Sequence, residues 1–260
     1  MPDPTLTFSV THGVARVTLA RPDVRNAFNA ALIAELHTAF DTLSADPAVR
    51  AVVLAGEGKV FCGGADIAWM RGSLALSHEE NMADARAMSL MFRAVDRCPK
   101  PTIARIQGAA LGGGAGLAAV CDIVITAQDA LFGFTEVKLG IIPAVISPFV
   151  ISKIGASHAR ALFLTGERFD AQRALAIGLV HQVVAPEALD AAVESTLAQL
   201  RTAGPQATAA AKRLVFDVCA AGYDDSLDLT AKAIATQRTT SEGQEGLRAF
   251  LERRPAEFAE

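Results

Sequence analysis

An apolar, strand-like run near the middle of the chain breaks into glycines and then resumes with helical spacing, over residues 104–122, ARIQGAALGGGAGLAAVCD. Glycine lets the backbone approach a ligand closely, and the first amides of the following helix have no intrahelical partner. A strand, a glycine turn and a helix in this order can therefore present main-chain N–H groups to an anion. The alternative interpretation is a tight turn with no chemistry.

A second segment has the same character and weakens that alternative. Residues 59–66, KVFCGGAD, also lead from an apolar strand towards a helix. Two such turns can each supply one N–H group to a single oxygen atom, which is the physical requirement of an oxyanion hole.

Composition limits the class of protein. The chain has 260 residues, 51% hydrophobic and 20% charged, which is typical of a globular protein with one large α/β domain or a main domain and a smaller helical extension. The net charge is -4 and no basic stripe is present, so nucleic acid is not expected as a partner. No signal peptide or apolar run of membrane-spanning length occurs, which predicts a cytoplasmic location without membrane binding.

Motifs for metals and nucleotides are missing. The four cysteines never form C-x-x-C and the five histidines are scattered, so neither a metal site nor a disulfide framework is predicted, and the thiols are expected to be reduced and mostly buried. Leu117 stands where the third glycine of G-x-G-x-x-G belongs, which disfavours a dinucleotide site.

Hydrophobic periodicity predicts strands that alternate with helices up to about residue 190, and helices alone after it. The alternation favours largely parallel strand pairing through crossover helices. We expect a core in residues 1–195, which holds the site, and a helical region in residues 196–260. The predicted elements are a hairpin in residues 6–19, strands in 51–55, 102–107 and 123–126, and helices in 26–43, 81–98, 207–221, 226–239 and 245–254.

Glu136 is the carboxylate of greatest interest, because apolar residues surround it in residues 130–143, ALFGFTEVKLGIIP. Burial in an apolar pocket would favour its neutral form and suit it to proton transfer near neutral pH. The alternative, which periodicity alone favours, is that Glu136 and Lys138 share the solvated face of a strand.

Five segments, in this order and over nearly the whole chain, resemble the enoyl-CoA hydratase/isomerase (crotonase) family. They are ARPDVRNAFN, VFCGGADI, QGAALGGGAGLAAVCDI, FGFTEVKLGIIP and LTGERFDAQRALAIGLV. The resemblance implies a spiral of ββα repeats, a C-terminal helical region used in trimer formation, and commonly a dimer of trimers. It also implies an acyl-CoA thioester substrate, with no cofactor beyond the CoA that the substrate carries.

Carried over by position, the resemblance assigns the thioester oxygen to the main-chain N–H groups of Ala65 and Gly113. Holding that oxygen makes the α-carbon acidic and the β-carbon electrophilic, because enolate charge develops on it. Asp66 becomes the N-cap of the next helix. The substrate-binding set that the resemblance implies is Arg25, Gly63, Gly64, Asp66 and Ile67 along the CoA nucleotide, Trp69, Met70 and Leu139 along the acyl group, Arg253 at the CoA of an adjacent subunit, and also Gly112 and Pro143.

One departure from the family pattern concerns the catalytic pair. Hydratases of the family usually carry two glutamates that hold the water, and here the later one is Glu136 while the earlier position is Gly116. In one interpretation Gly116 makes room for a larger or carboxylate-bearing acyl chain, and something else, such as the substrate, positions the water. In another, Glu136 alone moves a proton between the α and γ carbons, as a 3-enoyl to 2-enoyl isomerase.

The segment TEVKLGIIPAVISPFVI, together with Gly116, resembles a bacterial branch that hydrates methylglutaconyl-type or carboxygeranoyl-type enoyl-CoA in leucine or acyclic terpene breakdown. Arg71 and Lys138 are then candidate partners for a distal carboxylate. A third hypothesis is an acyl-CoA-binding relative with weak or no catalysis. RNA binding, known for some relatives, is disfavoured because residues 30–41 contain no Lys or Arg.

Overall fold

In the computed structural model, which describes residues 4–259, the predicted hairpin opens a six-stranded sheet of order β1-β2-β3-β4-β6-β9. Its first pair is antiparallel, and the pairs that follow are parallel. A second sheet has three strands, in the order β5-β7-β8. The strands are β1 Leu6–Thr11, β2 Val14–Leu19, β3 Ala51–Gly56, β4 Thr102–Ile106, β5 Ala109–Leu111, β6 Ile123–Ala127, β7 Leu131–Gly133, β8 Arg168–Asp170 and β9 Gln182–Val184.

Within the described residues, six helices lie between the strands, and four more follow the last strand. They are α1 Ala30–Ala45, α2 Ile67–Ser73, α3 His78–Asp96, α4 Gly113–Val120, α5 Ser147–Thr165, α6 Ala171–Ala176, α7 Leu189–Arg201, α8 Pro205–Ala220, α9 Tyr223–Thr239 and α10 Ser241–Glu252. The backbone of α5 is interrupted at Gly155, which has a φ of 75°. The helix predicted for residues 81–98 is α3, and Pro99 and Pro101 follow its end, since proline cannot continue a helix.

Two successive ββα units each contribute one strand to the larger sheet and one to the smaller sheet. The first is β4, β5 and α4, and the second is β6, β7 and α5. They stack in register, because β4 pairs in parallel with β6 and β5 pairs in parallel with β7. The ββα repeat expected from the resemblance is therefore present.

The chain divides into two compact units, one formed by residues up to 98 with 102–193, and one formed by 99–101 with residues from 194 onwards. The second unit contains α8, α9 and α10, close to the three helices predicted for this region. Its role in oligomerisation stays a prediction.

The core of the first unit is apolar and rich in phenylalanine. Phe28 and Phe92 meet edge to face with ring centroids 6.0 Å apart. Cys62, Cys98 and Cys121 are buried and Cys219 is exposed, and none of the four forms a disulfide within the described residues. Burial raises the pKa of the Cys62 thiol to about 12, which makes this thiol a core residue rather than a nucleophile.

Within the described chain, no helix has the length and apolar character needed to cross a membrane.

Candidate active site

The central glycine run forms a turn between β5 and α4. Gly112 has a φ of 50° and a ψ of -120°, a conformation that glycine adopts readily and other residues do not. Its amide donates to the carbonyl of Gly133 at 2.8 Å, which ties the turn to β7. Gly113 is the first residue of α4, so its N–H group has no intrahelical acceptor.

The second glycine segment lies against the first. Ala65 forms an isolated parallel bridge with Phe28, in which the neighbours of Ala65 supply the hydrogen bonds: Phe28 donates to Gly64 and Asp66 donates to Phe28. The N–H of Ala65 therefore points away from Phe28. A Cβ placed on Gly64 would lie 3.0 Å from the Leu111 oxygen and 4.0 Å from the Gly112 Cα.

The two predicted turns are thus adjacent, and their amides remain available. Among the hydrogen bonds formed within residues 4–259, none uses the N–H of Ala65 or of Gly113. An oxygen atom that accepts from both would sit in an oxyanion hole.

Asp66 fixes the second turn rather than facing the cavity. As the N-cap of α2 it accepts hydrogen bonds from the amides of Ala68 and Trp69, as predicted, and it pairs with the Arg21 guanidinium at 2.8 Å. Burial by itself would raise the pKa of Asp66, but the hydrogen bonds from Arg21 and the two amides outweigh it and lower that pKa. The ionised carboxylate consequently holds α2 in place.

Glu136 does not lie on a strand. Strand β7 ends at Gly133, and Glu136 begins a 3₁₀ helix, Glu136–Leu139, so the interpretation of a shared strand face with Lys138 is wrong. One carboxylate oxygen, Oε1, lies 3.2 Å from where a Cβ on Gly112 would stand. The other, Oε2, is buried without a hydrogen-bond partner in the described residues. Burial raises the pKa of Glu136, despite a hydrogen bond from its own backbone that lowers it.

These groups line one cavity of about 410 Å³. Most of the predicted residues border it: Gly63, Gly64, Ala65, Trp69, Met70, Gly112, Gly113, Glu136, Leu139 and Pro143. Five predicted residues do not, namely Arg25, Asp66, Ile67, Gly116 and Arg253.

Among those five, Arg25, Ile67 and Arg253 were expected to bind CoA. Arg25 is exposed, and its carbonyl accepts from the Gly63 amide at 2.8 Å, so it lies next to the loop that supplies Ala65. Ile67 is 72% exposed. Arg253 is an exposed residue that caps α10 in the second unit, with a φ of 56°. Contact of these residues with CoA stays a prediction.

Gly116 leaves no room for a substrate. It is buried within α4, and a Cβ on it would lie 2.3 Å from Cγ2 of Ile146 and 3.1 Å from Cε1 of Phe92. The expectation that Gly116 enlarges the acyl pocket is therefore wrong, because Ile146 occupies the space and itself borders the cavity.

One wall of the cavity was missed by the sequence analysis. Asn81, Asp84, Ala85 and Met88 of α3 border it, together with Ser73 and Thr135. The signal was their i, i+3, i+4, i+7 spacing, which puts the four on one helix face, but a face of this mixed polarity does not look like a core stripe.

The ionisable side chains that border the cavity are both acidic. Asp84 and Glu136 are its ionisable side chains, and among the described residues that border it there is no Lys, Arg or His. Arg71 and Lys138, the candidate partners for a distal carboxylate, are exposed and lie outside the lining.

Comparison with known proteins agrees with this geometry. The sequence model of the family described as enoyl-CoA hydratase/isomerase matches residues 9–260. The structure of Pseudomonas aeruginosa AtuE is 41% identical and superposes with a TM-score of 0.95, covering 98% of this chain and 100% of that one. The structure of an enoyl-CoA hydratase from Shewanella pealeana is 39% identical, with a TM-score of 0.94 and coverage of 97% and 95%.

A more distant relative carries a different name. A trans-2-decenoyl-[acyl-carrier-protein] isomerase of Streptococcus mutans is 29% identical over 253 residues, covering 96% of each chain. The fold and the paired main-chain donors are consistent with an enzyme that binds acyl thioesters. The chain belongs to the enoyl-CoA hydratase/isomerase family, with the crotonase fold that its resemblance implied.

Proposed function

We propose that this protein is a 2-enoyl-CoA hydratase, in which Glu136 handles the proton at the α-carbon. The observation that carries the proposal is the buried Oε2 of Glu136, which has no hydrogen-bond partner in the described residues and lies beside the Gly112 turn. Burial in this environment favours the neutral form of the carboxyl group, which can donate a proton.

The thioester oxygen accepts hydrogen bonds from the amides of Ala65 and Gly113, which have no other acceptor among residues 4–259. These donors stabilise the enolate that forms when water attacks the β-carbon, and the loss of one such donor typically costs about 100- to 1000-fold in kcat. Glu136 then protonates the α-carbon. The reaction needs no cofactor or metal beyond the CoA of the substrate.

A single-base isomerase is the second candidate. It is favoured by the closed space at Gly116, where Ile146 leaves no place for a second glutamate. Glu136 would then take a proton from the α-carbon of a 3-enoyl-CoA and return it to the γ-carbon, without activating water. A binding protein without turnover is the third, and it predicts that substitution of Glu136 changes no product.

The acyl group is the finer part of the proposal. The resemblance to the methylglutaconyl and carboxygeranoyl branch suggests a branched chain with a distal carboxylate. The described residues that border the cavity instead include Asp84 and no Lys, Arg or His, which favours a neutral branched chain. A homotrimer or dimer of trimers and a cytoplasmic location complete the proposal.

The test is a mass-resolved turnover assay on crotonyl-CoA, 3-hexenoyl-CoA and 3-methylglutaconyl-CoA, with Glu136→Gln as the variant. A hydratase raises the product mass by one water, whereas an isomerase moves the double bond at constant mass. Glu136→Gln should lower kcat by about 100- to 10,000-fold and leave thioester affinity nearly unchanged. Full activity of this variant would contradict the mechanism.

A further inference from the structure

We propose that Asp84 supplies the second carboxylate of the reaction and takes the proton from the attacking water. This role rests on the proposed hydratase function. Asp84, on α3, would take the place of the glutamate that the chain lacks at position 116 of α4.

The position of Asp84 on α3 is the first support. Asn81, Asp84, Ala85 and Met88 form the face of α3 that borders the cavity. Asp84 is half-buried, although its neighbours Ala83 and Ala85 are exposed. Its side chain therefore points to the cavity rather than to bulk solvent.

The same face reaches the oxyanion turn. Cε of Met88 lies 3.1 Å from where a Cβ on Gly113 would stand, and Oε1 of Glu136 lies 3.2 Å from the corresponding point on Gly112. Asp84 precedes Met88 by one helical turn, about 6 Å along the axis. The cavity space between this face of α3 and Glu136 is where a β-carbon and a water molecule would sit.

The Asp84 carboxylate also has no interaction partner among the described residues. The other polar groups on this side are occupied, since the Ser73 hydroxyl donates to the Met70 carbonyl and the Asn81 amide donates to the carbonyls of Leu76 and Ser77. Within residues 4–259 the carboxylate of Asp84 has neither a hydrogen bond nor an ion pair. It is thus free to accept a hydrogen bond from water.

The proton transfers balance with two carboxyl groups. The water oxygen forms a bond to the β-carbon and its proton passes to the Asp84 carboxylate, while the π electrons of the double bond move to the enolate. The enolate then takes the proton of neutral Glu136 at the α-carbon. A proton returns from Asp84 to Glu136 through solvent, which restores the starting state.

The experiment separates hydration from proton transfer at the α-carbon. Wild type, Asp84→Asn and Asp84→Ala are assayed for hydration of crotonyl-CoA and 3-methylglutaconyl-CoA, and for exchange of the α-proton of butyryl-CoA in D₂O, which requires only Glu136 and the two amides. Glu79→Gln, an exposed acidic residue in the first turn of α3, is the matched control.

We expect both Asp84 variants to lose about 100-fold or more in hydration, with exchange within about threefold of wild type, and Glu79→Gln to be unchanged. Equal losses of hydration and exchange would show a structural role and overturn the proposal. Wild-type hydration by Asp84→Asn would overturn it as well, and hydration confined to the carboxylated substrate would then assign the role to the substrate.

The two proposals fail in different ways. A wild-type enzyme that exchanges the α-proton and moves the double bond but never adds water contradicts the hydratase function and, with it, the role of Asp84. A wild-type enzyme that adds water independently of Asp84 contradicts only the latter.

Discussion

Ile146 fills the space that a side chain at Gly116 would need, since its Cγ2 lies 2.3 Å from where a Cβ would stand. Ile146 is 3% exposed and begins the segment that leads into α5. The two positions are therefore coupled, and a glutamate can be restored at residue 116 only if residue 146 becomes smaller.

Gly116→Glu alone is expected to destabilise the protein by about 1–3 kcal/mol or more, because it overpacks a filled site and buries a carboxylate. The double variant Gly116→Glu, Ile146→Ala should be more stable than the sum of the single variants predicts, with a coupling of about 0.5–3 kcal/mol, and should gain hydration of crotonyl-CoA. Urea unfolding and the mass-resolved assay measure these effects, with Ile146→Ala as the control. Strict additivity would show that the two side chains do not compete.

The free energy of unfolding is expected to depend on pH through Glu136. Burial raises the pKa of Glu136 in the folded state. The contribution of its protonated carboxyl group to stability is therefore fully present below the pKa of the unfolded chain, about 4.3. That contribution is lost as the pH rises through the pKa of the folded protein. Glu136→Gln, which cannot ionise, should therefore gain stability relative to wild type as the pH rises. Urea unfolding at acid and alkaline pH tests this, and a constant difference would contradict it.

The rate of hydration should follow the same ionisation. Neutral Glu136 is the proton donor in the proposed mechanism, so kcat/KM should fall as the pH rises through its raised pKa. A profile of kcat/KM against pH measures this. A rate that rises over that range would assign Glu136 the role of a base instead.

Gly64→Ala should lower kcat because it separates the two oxyanion donors. Gly64 has a φ of 99°, and a Cβ on it would lie 3.0 Å from the Leu111 oxygen. Gly155→Ala is the matched control, since its φ is 75° but nothing lies within 4 Å of the added Cβ. Both variants carry a backbone cost of about 1–2 kcal/mol, and only Gly64→Ala should lose about 100-fold in kcat. Equal kcat values would place the thioester oxygen elsewhere.

Asp66→Ala should raise KM and destabilise α2, which carries Trp69 and Met70 of the cavity. The loss of the N-cap costs about 1 kcal/mol, and the Arg21 guanidinium also loses its partner. Asp66→Asn keeps an N-cap acceptor without the charge and should show a smaller effect. Because the pKa of Asp66 is lowered in the folded state, the stabilisation by its carboxylate is present above the pKa of the unfolded chain. It is lost as the pH falls through the pKa of the folded protein. Thermal unfolding of the three proteins between acid and neutral pH measures this.

Local patterns predicted the hairpin, the alternating strands and helices, and the two glycine turns, because each depends on neighbours in sequence. The N-cap role of Asp66, which the structure confirms, was implied by the family resemblance. The place of Glu136 did not follow from local patterns, since the 3₁₀ helix that carries it depends on the end of β7 and on Gly140 with a φ of 74°. Periodicity cannot separate such a turn from a short strand.

The cavity lining depended on tertiary contacts that the sequence does not display. Asp84 lies on α3, whose face towards the cavity has helical spacing but mixed polarity, so it does not stand out from a solvated face. The contact between Gly116 and Ile146 joins residues from different elements. Packing of this kind becomes visible only when the stacked ββα units are in place.

In the proposed mechanism, the two oxyanion donors are main-chain atoms of Ala65 and Gly113, whereas the proton-handling groups are side chains on α3 and on a four-residue turn. Activation of the thioester is therefore insensitive to the identity of most residues around the cavity. Random point mutation can exchange Asp84, Ile146 or Glu136 while the capacity to stabilise an enolate is inherited intact. Evolution of this fold can therefore change the catalysed reaction by single substitutions, while every intermediate sequence still binds and activates its thioester substrate.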